Sequence, residues 1–378
     1  MYITDNFDSG NIRVIALQDP QDIQLEIKHD NQSEFFQWFH FRFEAEQAQS
    51  YQFHIINASQ SAYPQGWQGY QVVASYDRQQ WFRIDTDYDG EQLKFSLALE
   101  QSSVYFAYFA PYSYERHLDL LQTIQQDPRV RLSTLGQTLD GRDMSLLQIG
   151  DAEQAKHKVW VMARQHPGET MAEWFVEGML ATLLDEDNPL AKKLLEETVF
   201  YVLPNMNPDG SVRGHLRTNA AGINLNREWQ NPSMEHSPEV FLARQKMLEL
   251  GGDLFLDIHG DESVPYNFVA GCEGVPSYDA RHQLLEETFK QAYMAISPDF
   301  QDQHGYAKNK PGEANLKIGA AWLGEQFKTL SYTIEMPFKD NADLPDEDYG
   351  WSPERAMQLG ADVLFPIKQS LARLSCLI

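Results

Sequence analysis

Lys158-Val-Trp-Val-Met-Ala163, running into Arg164-Gln-His166-Pro-Gly-Glu169, is the stretch from which the fold is read. A short apolar run of this kind reads as a buried strand, and Pro167 with Gly168 ends it. Thr170 to Leu184 then places Phe175, Met179 and Leu183 on one helical face. Strand, tight turn and helix in that order open an α/β unit. Thr198-Val-Phe-Tyr-Val-Leu203, Asp253-Leu-Phe-Leu-Asp-Ile258 and Leu330-Ser-Tyr-Thr-Ile334 repeat the buried-strand pattern. The expectation is an α/β fold whose mixed, mostly parallel sheet is flanked by helices.

Upstream the pattern changes. Between Glu34 and Ala110, Phe39, Phe41 and Phe43 alternate with polar residues, as do Val104, Phe106 and Tyr108 with their neighbours. Pro64-Gln-Gly66, Asp77-Arg78 and Asp89-Gly90 break the segment into short strands with no helical stretch between them, which favours a small antiparallel β-sandwich. The first helical pattern begins at His117, after Pro111. The expected division is therefore a β-sandwich domain over 1–112 and an α/β domain over 113–378.

The chain has 378 residues and a formal net charge of −25. That charge opposes binding to nucleic acid or anionic lipid, both of which require phosphate neutralisation by Lys and Arg, so neither partner is expected. No apolar run is long enough to cross a bilayer, and the acidic N-terminal residues lack the basic start of an export signal, so the expected location is cytoplasmic. Cys272 and Cys376, the only cysteines, suit neither a disulfide framework nor a thiolate metal site.

His166 and Glu169 stand at the end of one strand, and His259 follows another directly. In open α/β sheets ligands gather beyond the carboxyl ends of strands. Two His and one Glu form an open zinc site, which leaves a coordination position for water. Between these segments lie Asn207-Pro-Asp-Gly210, Arg217 and Gly222-Ile-Asn-Leu-Asn226-Arg227. A guanidinium beside a metal can grip a carboxylate or offset an oxyanion, although surface salt bridges are the plainer use of such residues.

His166-x-x-Glu169, Asn207-Pro-Asp-Gly210, Arg217, Asn226-Arg227, His259 and Glu335 follow in order the pattern of the zinc metallocarboxypeptidases. His-Pro-Gly-Glu, the run from Val104 to Tyr114 and a leading β domain resemble the cytosolic carboxypeptidase subgroup, from about Glu34 onward. The resemblance implies a hydrolase that removes residues from the C-terminus of a peptide or protein. It implies one zinc per chain held by His166, Glu169 and His259, with Glu335 as general base and Arg217 on the scissile carbonyl. Asn226 and Arg227 would then bind the substrate's terminal carboxylate. Tyr306 matches a capping tyrosine, and Lys317 stands where the subgroup has a basic side chain, which implies a preference for C-terminal Glu or Asp.

Two departures from the wider family carry consequences. Pro167 and Gly168 fill a gap where digestive members have an arginine, and Asn224 stands where an aspartate commonly receives a ligand histidine's N–H. A neutral amide raises a ligand's basicity less than a carboxylate does. Two other functions fit parts of the pattern: a zinc amidohydrolase acting on N-acyl amino acids, and a non-catalytic binding protein. The role of the β domain is not readable, and Trp67 and Trp81 are its candidates for a substrate groove.

Overall fold

The computed structural model describes residues 1–377 and, among them, contains two five-stranded sheets and one of seven strands. The first sheet runs in the order Tyr2–Thr4, His40–Glu44, Ser103–Ala107, Val73–Ser75, Phe82–Arg83. The second runs Arg13–Ala16, Ile23–Glu26, Ser50–Ile55, Leu93–Ala98, Thr86–Tyr88. Alternation buries Phe41 and Phe43 completely, and they meet Phe53, Phe95 and Phe106 between the sheets. Phe53 stacks on Phe95 with ring centroids 5.1 Å apart.

One pairing differs from the antiparallel expectation, since Ile23–Glu26 runs parallel to Ser50–Ile55. A parallel pair needs a long crossover, and here the chain between them visits the other sheet as His40–Glu44 before returning in the same direction. Trp67 is fully buried and donates its indole N–H to Ala58 and Ser61, while Trp81 packs edge-on against His40. Both tryptophans are buried in packing, Trp67 beside Phe39 and Trp81 beside His40 on the opposite face of strand His40–Glu44, and neither lines a groove.

The seven-stranded sheet is ordered Val130–Gln137, Asp143–Ile149, Thr198–Leu203, His157–Ala163, Leu254–Asp261, Leu330–Pro337, Phe268–Ala270. Its inner pairings are parallel and its outer ones antiparallel. Both faces of the inner strands are covered, which explains their continuous apolar reading. Val159 and Val161 face a cluster with helices Met171–Leu183 and Leu364–Ser375, whereas Trp160 and Met162 face helices Pro238–Leu250 and Gly319–Phe327. The first cluster continues into the β-sandwich, where Tyr108 stacks on Phe338 at 4.5 Å.

Helix Met171–Leu183 is buried except at Glu177, Ala181 and Thr182, and Glu173 is among its buried residues. It crosses helix Pro353–Asp362 closely enough that a Cβ on Gly178 would lie 2.0 Å from the Met357 carbonyl oxygen, and one on Gly360 would lie 1.9 Å from that of Phe175. Backbone cannot yield as a flexible side chain does. Gly360→Ala should therefore cost about 1–3 kcal/mol, read as a lower urea midpoint at unchanged slope. A wild-type midpoint would show that the two helices part without strain.

Candidate metal centre

Strand His157–Ala163 ends at Arg164, which has a left-handed φ of 58° and a buried guanidinium that donates to the carbonyls of Pro167 and Tyr112 at 2.9 Å. This arginine folds the turn that carries His166 and Glu169. Asn207 pins the same turn from outside, donating to the Gln165 carbonyl at 3.0 Å while its own Oδ1 caps the following helix at Gly210. The Gly168 N–H closes the turn onto the Leu216 carbonyl at 2.9 Å, and a Cβ at Gly168 would stand 3.0 Å from that same oxygen.

His259 arrives from the neighbouring parallel strand. Its Nδ1 lies 3.2 Å from Nδ1 of His166 and 2.8 Å from Oε2 of Glu169, whose Oε1 is 2.6 Å from His166 Nδ1. The three residues are buried, and one donor atom from each lies within 4.8 Å of the others. Two imidazole nitrogens and a carboxylate facing one another in this way suit a divalent cation, and the donor set is that of zinc.

The far nitrogens also have partners. His166 Nε2 is 3.1 Å from Asn224 Oδ1, as the sequence comparison anticipated. His259 Nε2 is 3.0 Å from Asp257 Oδ1, an oblique ion-pair contact that does not align as a hydrogen bond. Sequence reading missed Asp257, although its signal was present: residues two apart on a strand share a face. Gln165 holds Asp257 in place, donating to its Oδ2 at 2.6 Å while accepting from the Trp229 indole.

These contacts shape the electrostatics. Burial lowers the His166 pKa to about 4, and Arg217 adds to the effect. Burial opposes the charge on Glu169, but His166 and His259 outweigh it and hold the carboxyl well below its usual range. Burial likewise works against a protonated His259, and the carboxylates of Asp257 and Glu169 overcome it to raise its pKa.

Glu335 is opposite His259 in the register of the parallel pair. It is buried, its Oε2 has no hydrogen-bond partner among the described residues, and burial raises its pKa, with Glu169, Asp261 and Glu262 adding to the rise. Arg217 lies over the rings of Tyr63 and Phe35, at 5.3 Å and 5.6 Å. Asn226 spends its carboxamide oxygen on the Gly319 N–H at 2.8 Å, and Arg227 donates to the Asn226 carbonyl at 2.7 Å. Tyr306 is half exposed and donates to Asp261 at 2.5 Å.

A cavity of about 720 Å³ joins these groups, with His166, Glu169, Arg217, Asn226, Arg227, His259, Tyr306 and Glu335 all in its wall. Lys317 is the exception: it is exposed, in the turn before helix Gly319–Phe327, and is not in the wall. Lys290 and Lys308 are in the wall instead. Lys308 pairs with Glu273 at 3.1 Å and Lys290 with Glu286 and Asp302, each at 2.9 Å. Tyr63 and Gln65, from the β-sandwich, also line the cavity. No local pattern marked them, because the two regions meet only in the folded chain.

Residues 114–359 match a family model described as zinc carboxypeptidase, and residues 3–109 match one described as cytosolic carboxypeptidase N-terminal domain. The structure resembles a metallo-carboxypeptidase from Pseudomonas aeruginosa, solved in complex with (2-guanidinoethylmercapto)succinic acid, at a TM-score of 0.97 and 48% identity over 99% of this chain and 100% of that one. A metallo-carboxypeptidase from Burkholderia cenocepacia matches with a TM-score of 0.96 and 48% identity, over 99% of each chain. Human cytosolic carboxypeptidase 1 is 30% identical over 87% of this chain, which spans only 32% of that protein's length.

Asp257 supplies the ligand shell with the carboxylate that Asn224 lacks. Asp257→Asn should lower zinc affinity about 10–100-fold in a chelator-competition titration, and Asn224→Asp should raise it. Unchanged affinity in Asp257→Asn would show that His259 gains nothing from its neighbour's charge.

Proposed function

The chain belongs to the zinc carboxypeptidase family and is a peptide hydrolase, and from that premise we propose that it removes the terminal residue of a peptide or protein by cleaving the last peptide or glutamyl bond. The observation that carries the reading is the convergence of His166, Glu169 and His259, with an unpartnered Glu335 beside them in one cavity. One zinc per chain belongs to the proposal. When bound, the metal lowers the pKa of its water toward ~7 and polarises a carbonyl oxygen.

Each residue's surroundings support the role assigned to it in this reading. Glu335 takes the proton of the attacking water and returns it to the leaving amine, its Oε2 having no other hydrogen-bond partner among the described residues. Arg217 presents its guanidinium to the carbonyl oxygen as negative charge builds there. Arg227 and Asn226 receive the terminal carboxylate, which restricts cleavage to chain ends. Tyr306 closes over the substrate from its exposed loop.

Acidic terminal residues are the proposed preference, now resting on Lys308 rather than Lys317. Lys308 reaches the cavity wall with a largely exposed side chain; it pairs with Glu273, whose charge burial weakens by raising its pKa, and with Glu286 at 3.4 Å. A specific observation favours a second reading: the compound in complex with the Pseudomonas relative carries a guanidino group beside its two carboxyl groups. A basic terminal side chain would then sit beside Glu273 and Asp302. The proposal also includes the division at 1–112 and 113–378, supported by family matches that end at residue 109 and begin again at residue 114, and a cytoplasmic location, supported by the human relative's name.

Release of terminal residues from a peptide panel ending in Glu, Asp, Lys and Leu, with N-acetyl and N-succinyl amino acids alongside, tests this. Zinc-restored enzyme should release Glu fastest, and Glu335→Gln should fall about 10²–10⁴-fold. Lys308→Ala should cut kcat/KM for Glu-ended peptides about tenfold more than for Leu-ended ones. Fastest release of Lys selects the second specificity reading, and hydrolysis of N-acyl amino acids alone contradicts peptide cleavage.

A further inference from the structure

The β-sandwich makes contact with the proposed catalytic arginine at its backbone. Asp30 lies in a turn closed by its own N–H donating to the Phe35 carbonyl at 2.8 Å, and it is 2% exposed. Its carboxylate reaches across to the loop that carries Arg217. Oδ1 accepts the Leu216 N–H at 2.7 Å, while Oδ2 accepts the N–H groups of Arg217 and Thr218 at 2.8 Å and 2.9 Å and the Thr218 hydroxyl at 3.0 Å.

Successive N–H groups aimed at one carboxylate form an anion-binding nest, here filled by the protein's own side chain. The contact is reinforced on both sides. The Asn31 N–H donates to His215 Nε2 at 3.0 Å, and the Asn31 carboxamide donates to the Ala220 carbonyl at 2.8 Å. A Cβ on Gly222 would lie 2.5 Å from the Gln32 carbonyl oxygen, so the two backbones touch.

The same turn also steers the side chain. Phe35, at its end, and Tyr63, in the neighbouring stretch of the sandwich, present their rings to the guanidinium, and Arg217 Nε has no partner among the described residues. Aromatic faces hold a cation without consuming its N–H donors, which leaves them for a ligand oxygen. We infer that Asp30 is a positioning residue for Arg217, and that the β-sandwich thereby builds the oxyanion-stabilising part of the site rather than serving only to recruit partners. The inference rests on the proposed role of Arg217.

The consequence concerns the transition state specifically. A displaced Arg217 loses contact with the charge that develops on the carbonyl oxygen, while Arg227 and Asn226 continue to bind the terminal carboxylate. Displacement of a catalytic group by about 1 Å is worth up to about 100-fold in rate. Asp30→Asn leaves the side chain's shape unchanged but points an N–H₂ group at donors.

In full-length, zinc-loaded Asp30→Asn, kcat on the preferred peptide should fall about 10–100-fold, and the Ki of a phosphonate tetrahedral analogue should rise in the same proportion. KM and the affinity for the released amino acid should stay within about twofold, and zinc content should be unchanged. An unchanged kcat, or a loss shared equally by ground-state binding or zinc content, overturns the inference. If Asp30→Asn does not fold, Thr218→Val removes one of the four donors; a fall of about threefold with the same split supports the inference, and wild-type kcat overturns it. Arg217→Lys, assayed alongside, separates the two layers. Full activity there defeats the role of Arg217 itself, whereas a loss there with wild-type Asp30→Asn defeats only the positioning claim.

Discussion

Three buried electron donors aimed at one point are unfavourable until a cation joins them, and much of the structure follows from keeping His166, Glu169 and His259 in that arrangement. They meet because strands His157–Ala163, Leu254–Asp261 and Leu330–Pro337 run parallel, so their carboxyl ends share one edge of the sheet. The pairing that sets His259 opposite Glu335 places the proposed base beside the ligands without any loop having to do so. A slip of one residue in that pair would turn the Glu335 side chain to the other face of the sheet.

Around this point the charges are graded by what surrounds them. Burial, with Arg217 adding to it, lowers the pKa of His166, which faces a neutral Asn224, whereas the carboxylates of Asp257 and Glu169 overcome burial to raise that of His259. The anionic support that the wider family commonly gives one histidine lies in this chain on the other. Gln165 links that support to Trp229, so the proposed metal shell extends into the packed interior rather than ending at its ligands. The β-sandwich joins the same body, because one apolar cluster continues from its aromatic interior into the α/β sheet, Asp30 binds the backbone of the Arg217 loop and Tyr63 lines the cavity.

What the sequence made readable was local or periodic. Apolar runs such as Thr198–Leu203 announced strands covered on both faces, and the alternation of Phe39, Phe41 and Phe43 announced a sandwich interior. The candidate ligands stood out because a His and a Glu flank a strand-ending Pro-Gly, and the structure brings both to His259. What escaped depends on contacts between distant segments. Asp30 and Leu216 stand 186 positions apart, so their contact leaves no trace in either neighbourhood, and the parallel pairing of Ile23–Glu26 depends on a crossover through another sheet. Lys317, singled out by its resemblance to the subgroup's basic position, lies exposed in a turn outside the cavity wall, and Lys308, on the preceding loop, lines the wall instead.

The most direct measurement is anomalous diffraction at the zinc edge from crystals of the zinc-loaded protein. The account predicts one peak per chain, about 2.0–2.2 Å from His166 Nδ1, His259 Nδ1 and a carboxylate oxygen of Glu169. Absence of a peak there at full zinc loading, or a peak held by other residues, would contradict it.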